Sequence, residues 1–226
     1  MSDSTEKHIP RGMIVEFDFT VLPGHQLLLD VCKAPFAAAG LEVDATLMAR
    51  YMFGKTFAHA VGALAESQQK TVESVPALIA ACNAAFAAAL TDALADVPEA
   101  FMKFAKAVLA KGVKVVIVSR ANADAVRARF AALGDRLVVQ TDTSSGFGFL
   151  GWDVWRRAAR KNGLRDRLCV AITGSGSSVK GVLTSSMGAF YRENPLVAYQ
   201  DFTGADGAIT AFSEALAQDV AHVLRI

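Results

Sequence analysis

Glu16, Asp18 and Thr20 alternate at the end of a short apolar run in the stretch MIVEFDFTVLPG. A buried strand that ends in a carboxylate, with a second carboxylate two residues on, is how a phosphoryl-transfer site presents a nucleophile and an acid/base partner. Other apolar runs end in groups that suit the same chemistry. VVIVS ends in Ser119, and LCVAIT leads into TGSGSS, where Ser175, Gly176, Ser177 and Ser178 precede a helix with Lys180 just beyond. A Gly/Ser loop whose amide N–H groups point out of a helix N-terminus can hold an anion. The same residues also make an ordinary serine-capped turn. Upstream, RYMFGKTF groups Gly54, Lys55 and Thr56, and Lys55 either faces a cleft or is solvated at a helix start.

Positioning these groups requires a particular set of elements. Met13–Phe17 reads as a buried strand, and the segments from His25 to Leu94 read as about four helices, rich in Ala, Leu and Gln with few β-branched runs. After Pro98 the pattern changes. A helix to Lys111 stops at Gly112, VKVVIVS is a β-branched strand, and a helix spans Asn122–Leu133. RLVVQT is a strand, Trp152–Asn162 a helix closed by Gly163, LCVAIT a strand and Val179–Met187 a helix. AFY and LVAY follow as short strands, and Asp206–Leu224 is the last helix. Alternating strands and helices with short links predict an α/β, Rossmann-like parallel sheet with helices on both faces. In such a fold, sites gather at the carboxyl ends of the strands, where Glu16, Asp18, Ser119 and the TGSGSS loop all fall. The organisation expected is a loose tail over 1–12, a core from 13–23 and 96–226, and an inserted all-helical cap over 24–95.

The 226 residues suffice for a full hydrophobic core, and at 53% apolar and 20% charged the composition is globular. A formal net charge of +1 gives no reason to expect a nucleic-acid or acidic-membrane partner, although Arg156, Arg157, Arg160, Lys161, Arg165 and Arg167 are locally basic, as a solvated helix face and its flank would be. No run is expected to span a membrane, and the polar start shows no apolar signal region. Cys32, Cys82 and Cys169 lie far apart among apolar neighbours, which fits buried free thiols and a cytoplasmic protein. The four histidines, His8, His25, His59 and His222, lack metal-ligand spacing and read as structural or surface residues. Trp152 and Trp155 read as core or interface residues.

The chain resembles the haloacid dehalogenase superfamily over nearly its whole length, in particular the β-phosphoglucomutase-like phosphatases with a helical cap after the first strand. Members begin with a strand ending Asp-x-Asp-Gly-Thr, and here that motif reads Glu16-Phe17-Asp18-Phe19-Thr20. Ser119 matches the second motif. FLGWDVWRRAARKNGLRDRLCV keeps the spacing of the third from Asp153 through Gly163 to Cys169, but Phe149 stands in place of its Lys, and Leu150 and Trp152 in place of its prolines. The fourth motif supplies magnesium-binding acids, and no Asp or Glu occurs between Arg167 and Arg192. The resemblance implies a nucleophile at 16, an acid/base at Asp18, and phosphoryl ligands at Thr20 and Ser119.

Three functions of such a site are thus replaced together: nucleophile, metal and cation. Glu16 carries the right charge one methylene too far out, and misplacement by about 1 Å can cost on the order of a hundredfold. Magnesium needs several hard oxygen ligands in octahedral geometry. The expectation is a phosphatase scaffold without metal-dependent hydrolysis that works as a binding, regulatory or scaffold protein. Its partner would be a small anionic metabolite or another protein, and no cofactor is expected. The alternative is an active hydrolase of altered, metal-poor mechanism using Glu16 or Asp18, with magnesium its cofactor.

Overall fold

The computed structural model describes residues 10–141, 146–147 and 150–226. Its elements run β1 (Gly12–Glu16), α1 (Phe17–Thr20), α2 (Gly24–Ala38), α3 (Ala45–Tyr51), β2 (Lys55–Thr56), α4 (Phe57–Ser67), α5 (Val75–Asp92), α6 (Glu99–Ala110), β3 (Lys114–Ser119) and α7 (Ala123–Phe130). They continue with β4 (Leu137–Thr141), β5 (Gly146–Phe147), α8 (Trp152–Lys161), β6 (Cys169–Thr173), α9 (Gly176–Thr184), β7 (Gly188–Arg192), β8 (Gly207–Ile209) and α10 (Glu214–Val223).

Six strands form one parallel sheet in the order β4-β3-β1-β6-β7-β8. β1 lies between β3 and β6, with Gly12 opposite both Lys114 and Cys169, so every residue of GMIVE is buried. Alternate side chains of these strands feed two cores. Met13, Val15, Val115 and Ile117 face the larger one, which α6, α10 and the insert also join, while Ile14, Val116, Val118 and Ala171 face α8 and α9 around Trp155. Trp155 is fully buried and its indole N–H donates to the Leu150 carbonyl at 3.0 Å, whereas Trp152 is 52% exposed. All three cysteines are buried and free.

The strands lie where β-branched runs placed them, with differences at five points. Phe17 leaves the strand and opens α1, because the chain must turn at the sheet edge to carry Asp18 towards β3. The insert is helical except for Lys55–Thr56, which pair antiparallel with Gly146–Phe147; two residues are too few for a periodic signal, and the pairing is long-range. LVAY is not a strand. Its start is a turn of 3-10 helix begun by Pro195, and the edge strand is Gly207–Ile209 instead. The last helix accordingly starts at Glu214, where Ser213 accepts from the Leu216 N–H. α9 begins at Gly176, three residues earlier than its apolar pattern, because Ser175 caps it by accepting from the Ser178 N–H.

Contrary to the expectation that no run could cross a membrane, Val75–Asp96 has the length and composition to do so. Alanine supplies much of that apolar character, and Leu78, Cys82, Phe86 and Leu90 of α5 are buried in the large core.

Candidate functional site

The carboxyl edge of the sheet brings Glu16, Asp18, Ser119 and the start of α9 together. All are buried: Glu16 and Asp18 are 2% exposed, Ser119 1%, and Ser175 and Ser178 not at all. Asp18 uses both oxygens on β3 and its loop, accepting from Ser119 Oγ at 2.5 Å and from the Arg120 N–H at 2.9 Å. Ser119 also accepts from the Ala121 N–H at 3.0 Å, so its hydroxyl is committed within the protein. The Thr20 hydroxyl donates to the Glu16 carbonyl at 2.7 Å, closing the first turn after β1.

Glu16 reaches the other way. One carboxylate oxygen accepts from the Gly174 N–H at 2.7 Å and the other from Ser178 Oγ at 2.9 Å. Ser178 Oγ in turn accepts from the Leu150 N–H at 2.9 Å and lies 3.1 Å from Ser175 Oγ. A carboxylate near a helix N-terminus is favourable, since the helix dipole is positive there. The anion seated at the start of α9 is therefore the protein's own Glu16. The extra methylene of Glu over Asp gives the side chain the length to span from β1 to the loop after β6.

Aromatic rings cover this network. Phe19 is 2% exposed and packs on Gly174, where an added Cβ would lie 2.3 Å from the Phe19 Cβ. The Phe19 ring lies 4.8 Å from His25 and 5.7 Å from Phe86, and His25 lies 5.1 Å from Phe53 of the insert. His25 is fully buried without a hydrogen bond at either ring nitrogen, and burial lowers its pKa to about 4. The backbone is closed as well, because a Cβ on Gly24 would come within 2.1 Å of the Asp18 carbonyl oxygen.

The remaining anion-site candidates meet one layer further out. A cavity of about 280 Å³ between the insert and the start of α9 is lined by Arg50, Lys55, Gly176, Ser177, Lys180 and Gln200 among others. Most of its donors already have acceptors. Gln200 Oε1 takes the Gly176 N–H at 2.8 Å while its Nε2 donates to the Phe53 carbonyl at 3.0 Å. Ser177 Oγ donates to the Gly54 carbonyl at 2.8 Å, and Lys55 Nζ to the Arg50 carbonyl at 3.1 Å. Lys180 pairs with Asp201 at 3.1 Å, an exposed contact, and the Asp201 carboxyl is held down to about 2 by Thr203 first and then by Lys180. Gln200 thus latches the insert to the core. Gln200→Ala should cost about 1 kcal/mol and speed amide hydrogen exchange at Gly176, measured by mass spectrometry or NMR.

This architecture has close structural counterparts. A β-phosphoglucomutase from Clostridium difficile superposes with a TM-score of 0.71 at 11% identity, over 96% of this chain and 100% of that one. CbbY from Rhodobacter sphaeroides in complex with phosphate gives 0.64 at 15% identity, over 91% and 96%. A haloacid dehalogenase family hydrolase from Deinococcus radiodurans R1 with bound phosphate and sodium gives 0.57 at 21%, over 95% and 96%. The fold is that of β-phosphoglucomutase and of the haloacid dehalogenase family hydrolase. No protein-family model matches the chain, and no curated protein matches it either.

The residues present do not fit magnesium. Both Glu16 oxygens receive hydrogen-bond donors, as do both Asp18 oxygens, and a donor hydrogen points its positive end where a cation would sit. Among the described residues, no group of three His, Cys, Asp or Glu is placed to hold a metal ion. Phe149, the residue in place of the third-motif Lys, lies outside the described residues. Sequence reasoning missed Phe53, Gln200 and the role of His25 as a cover. Each acts through a partner in another element, and no local motif marks it.

Proposed function

We propose that this protein is a non-catalytic member of the phosphatase scaffold that works by binding. The observation that carries the reading is the Glu16 carboxylate, whose two oxygens accept from the Gly174 N–H and the Ser178 hydroxyl instead of standing open to a substrate. A nucleophile must be presented to substrate in an attack geometry. Glu16 is instead buried, with a donor on each carboxylate oxygen. Asp18, held by Ser119 and Arg120, is equally withdrawn from acid/base work. Ligand contact on this reading falls to the outer cavity, where Arg50, Lys55 and Lys180 outnumber the single carboxylate of Asp201 and a small anionic metabolite would compete with it for Lys180. Buried free thiols suit a reducing compartment.

The test is twofold. Purified protein should show no Mg²⁺-dependent hydrolysis of p-nitrophenyl phosphate or of sugar phosphates above that of Glu16→Ala. A thermal-shift screen over phosphorylated metabolites should find stabilisation that is the same with and without Mg²⁺, since a ligand that binds only the folded state raises its stability by mass action. Robust Mg²⁺-dependent turnover, abolished in Glu16→Ala, would overturn the reading in favour of an active hydrolase.

A further inference from the structure

A second basic cluster lies at the opposite edge of the sheet. Arg165 and Arg167 sit in the connection entering β6, and Ser185 and Ser186 in the one entering β7, so both mark the amino edge, away from Glu16. Arg156 and Arg160 approach from α8. With Asp166 they enclose a cavity of about 550 Å³.

Four arginines and a single carboxylate line this cavity. Asp166 Oδ2 lies 3.7 Å from Arg156 Nε and 3.9 Å from Arg160 Nη2, which offsets charge but exceeds hydrogen-bond length. Arg156 Nε is buried and makes no hydrogen bond. The group is nevertheless fixed. Its Nη2 donates to the Thr184 carbonyl at 3.2 Å, and its guanidinium carbon lies 5.3 Å from the centre of the Trp152 ring. Arg165 and Arg167 make no ion pair among the described residues. Relief of the α8 C-terminal dipole accounts for Arg160 on the last turn, but not for Arg165, Arg167 or the unsatisfied Nε. Ser186 is exposed at φ 62, a position after a helix where glycine is usual, and a serine there puts a hydroxyl at the rim.

We propose that this pocket binds a phosphate-bearing small anion through a diphosphate-type group. Arginine forks match phosphate oxygens in bidentate geometry, and several of them around one cavity suit an anion of more than one charge. The cavity also has the size of small-molecule sites. This site is independent of the cleft reading above.

The experiment is calorimetric titration of the full chain with sodium pyrophosphate, orthophosphate and ADP, in chloride buffers of matched ionic strength. Pyrophosphate and ADP should bind more tightly than orthophosphate. The double variant Arg160→Ala/Arg165→Ala changes only exposed side chains and should weaken pyrophosphate binding by about tenfold or more. Arg156→Lys keeps charge but loses the fork and should also weaken it. Lys33→Ala/Lys103→Ala, which removes two exposed charges that line neither cavity, should leave it unchanged. Absence of binding at matched ionic strength, undiminished binding in the arginine variant, or loss in the lysine variant would overturn the proposal. So would tighter binding of a single-stranded oligonucleotide than of pyrophosphate, which would assign the patch to nucleic acid.

Discussion

Replacing Glu16 with alanine should lower the stability of the folded protein by about 3 kcal/mol, equivalent to a fall in melting temperature of about 6–12 °C for a chain of this size. The side chain closes two charge-assisted hydrogen bonds in a buried place, and its removal strands the Gly174 N–H and the Ser178 hydroxyl. Orphaned buried donors cost the full desolvation of the group, which exceeds the net worth of the bond that was lost. Glu16→Gln keeps one acceptor and nearly the same shape, so it should cost roughly half as much. Glu16→Asp restores the residue expected of a catalytic site but is shorter by a methylene, and it should also be destabilised, with no turnover gained. Thermal or urea denaturation of the three variants checks the order. A stability in Glu16→Ala equal to or above that of the parent protein would mean that the carboxylate is strained or exposed, as a working nucleophile is, and the reading of Glu16 as a structural group would fail.

Acidification should have a comparable effect through one imidazole. His25 has its pKa lowered by burial from 6.5 to about 4. Between these two values the unfolded chain carries a proton that the folded chain rejects, so the unfolded state gains as pH falls. The stabilisation is complete above pH 6.5, is lost progressively towards pH 4, and is flat below that, a total of about 3 kcal/mol. Carboxylates titrate in the lower part of the same window, so the measurement is a difference. Urea denaturation of the parent and of His25→Leu at pH 7.5 and pH 4.5 should show a smaller loss in the variant by about 2–3 kcal/mol. Equal losses in the two proteins would show that His25 finds a partner or water on protonation. Because the ring lies between Phe19 and Phe53, its protonation should first loosen the packing of the insert against the core, visible as faster amide exchange around Phe53 before global unfolding.

The parallel sheet was legible because burial on both faces demands near-continuous apolar, β-branched strands, and VKVVIVS and LCVAIT are such runs. Helix ends were legible where a glycine had to take positive φ, as at Gly112 (φ 82) and Gly163 (φ 70). LVAY misled because its composition suits a strand, while Pro195 and the cap from Asn194 start a helical turn instead. In the site, the convergence of Glu16, Asp18, Ser119 and the Ser175–Ser178 segment followed from their places at strand ends. What each group bonds to did not. Sequence spacing cannot show that Ser119 would be spent on Asp18, that Gln200 would take the Gly176 N–H, or that Lys180 would meet Asp201, because each is a meeting of groups distant along the chain.

The position of β1 also dictates the order in which the protein can assemble. This strand is central, yet its partners β3 and β6 enter only after the whole insert has been made. Until then GMIVE is an apolar segment with both edges open, the kind of species that aggregates or recruits chaperones. The insert is less bound by this, since α2 and α5 pack on each other within a shorter stretch of chain. Local contacts form fast, whereas parallel pairing across long separations is slow. On the ribosome, the helical insert is therefore placed to fold first and to bring the ends of its own loop together. The sheet then closes around a strand that has waited longest for its neighbours.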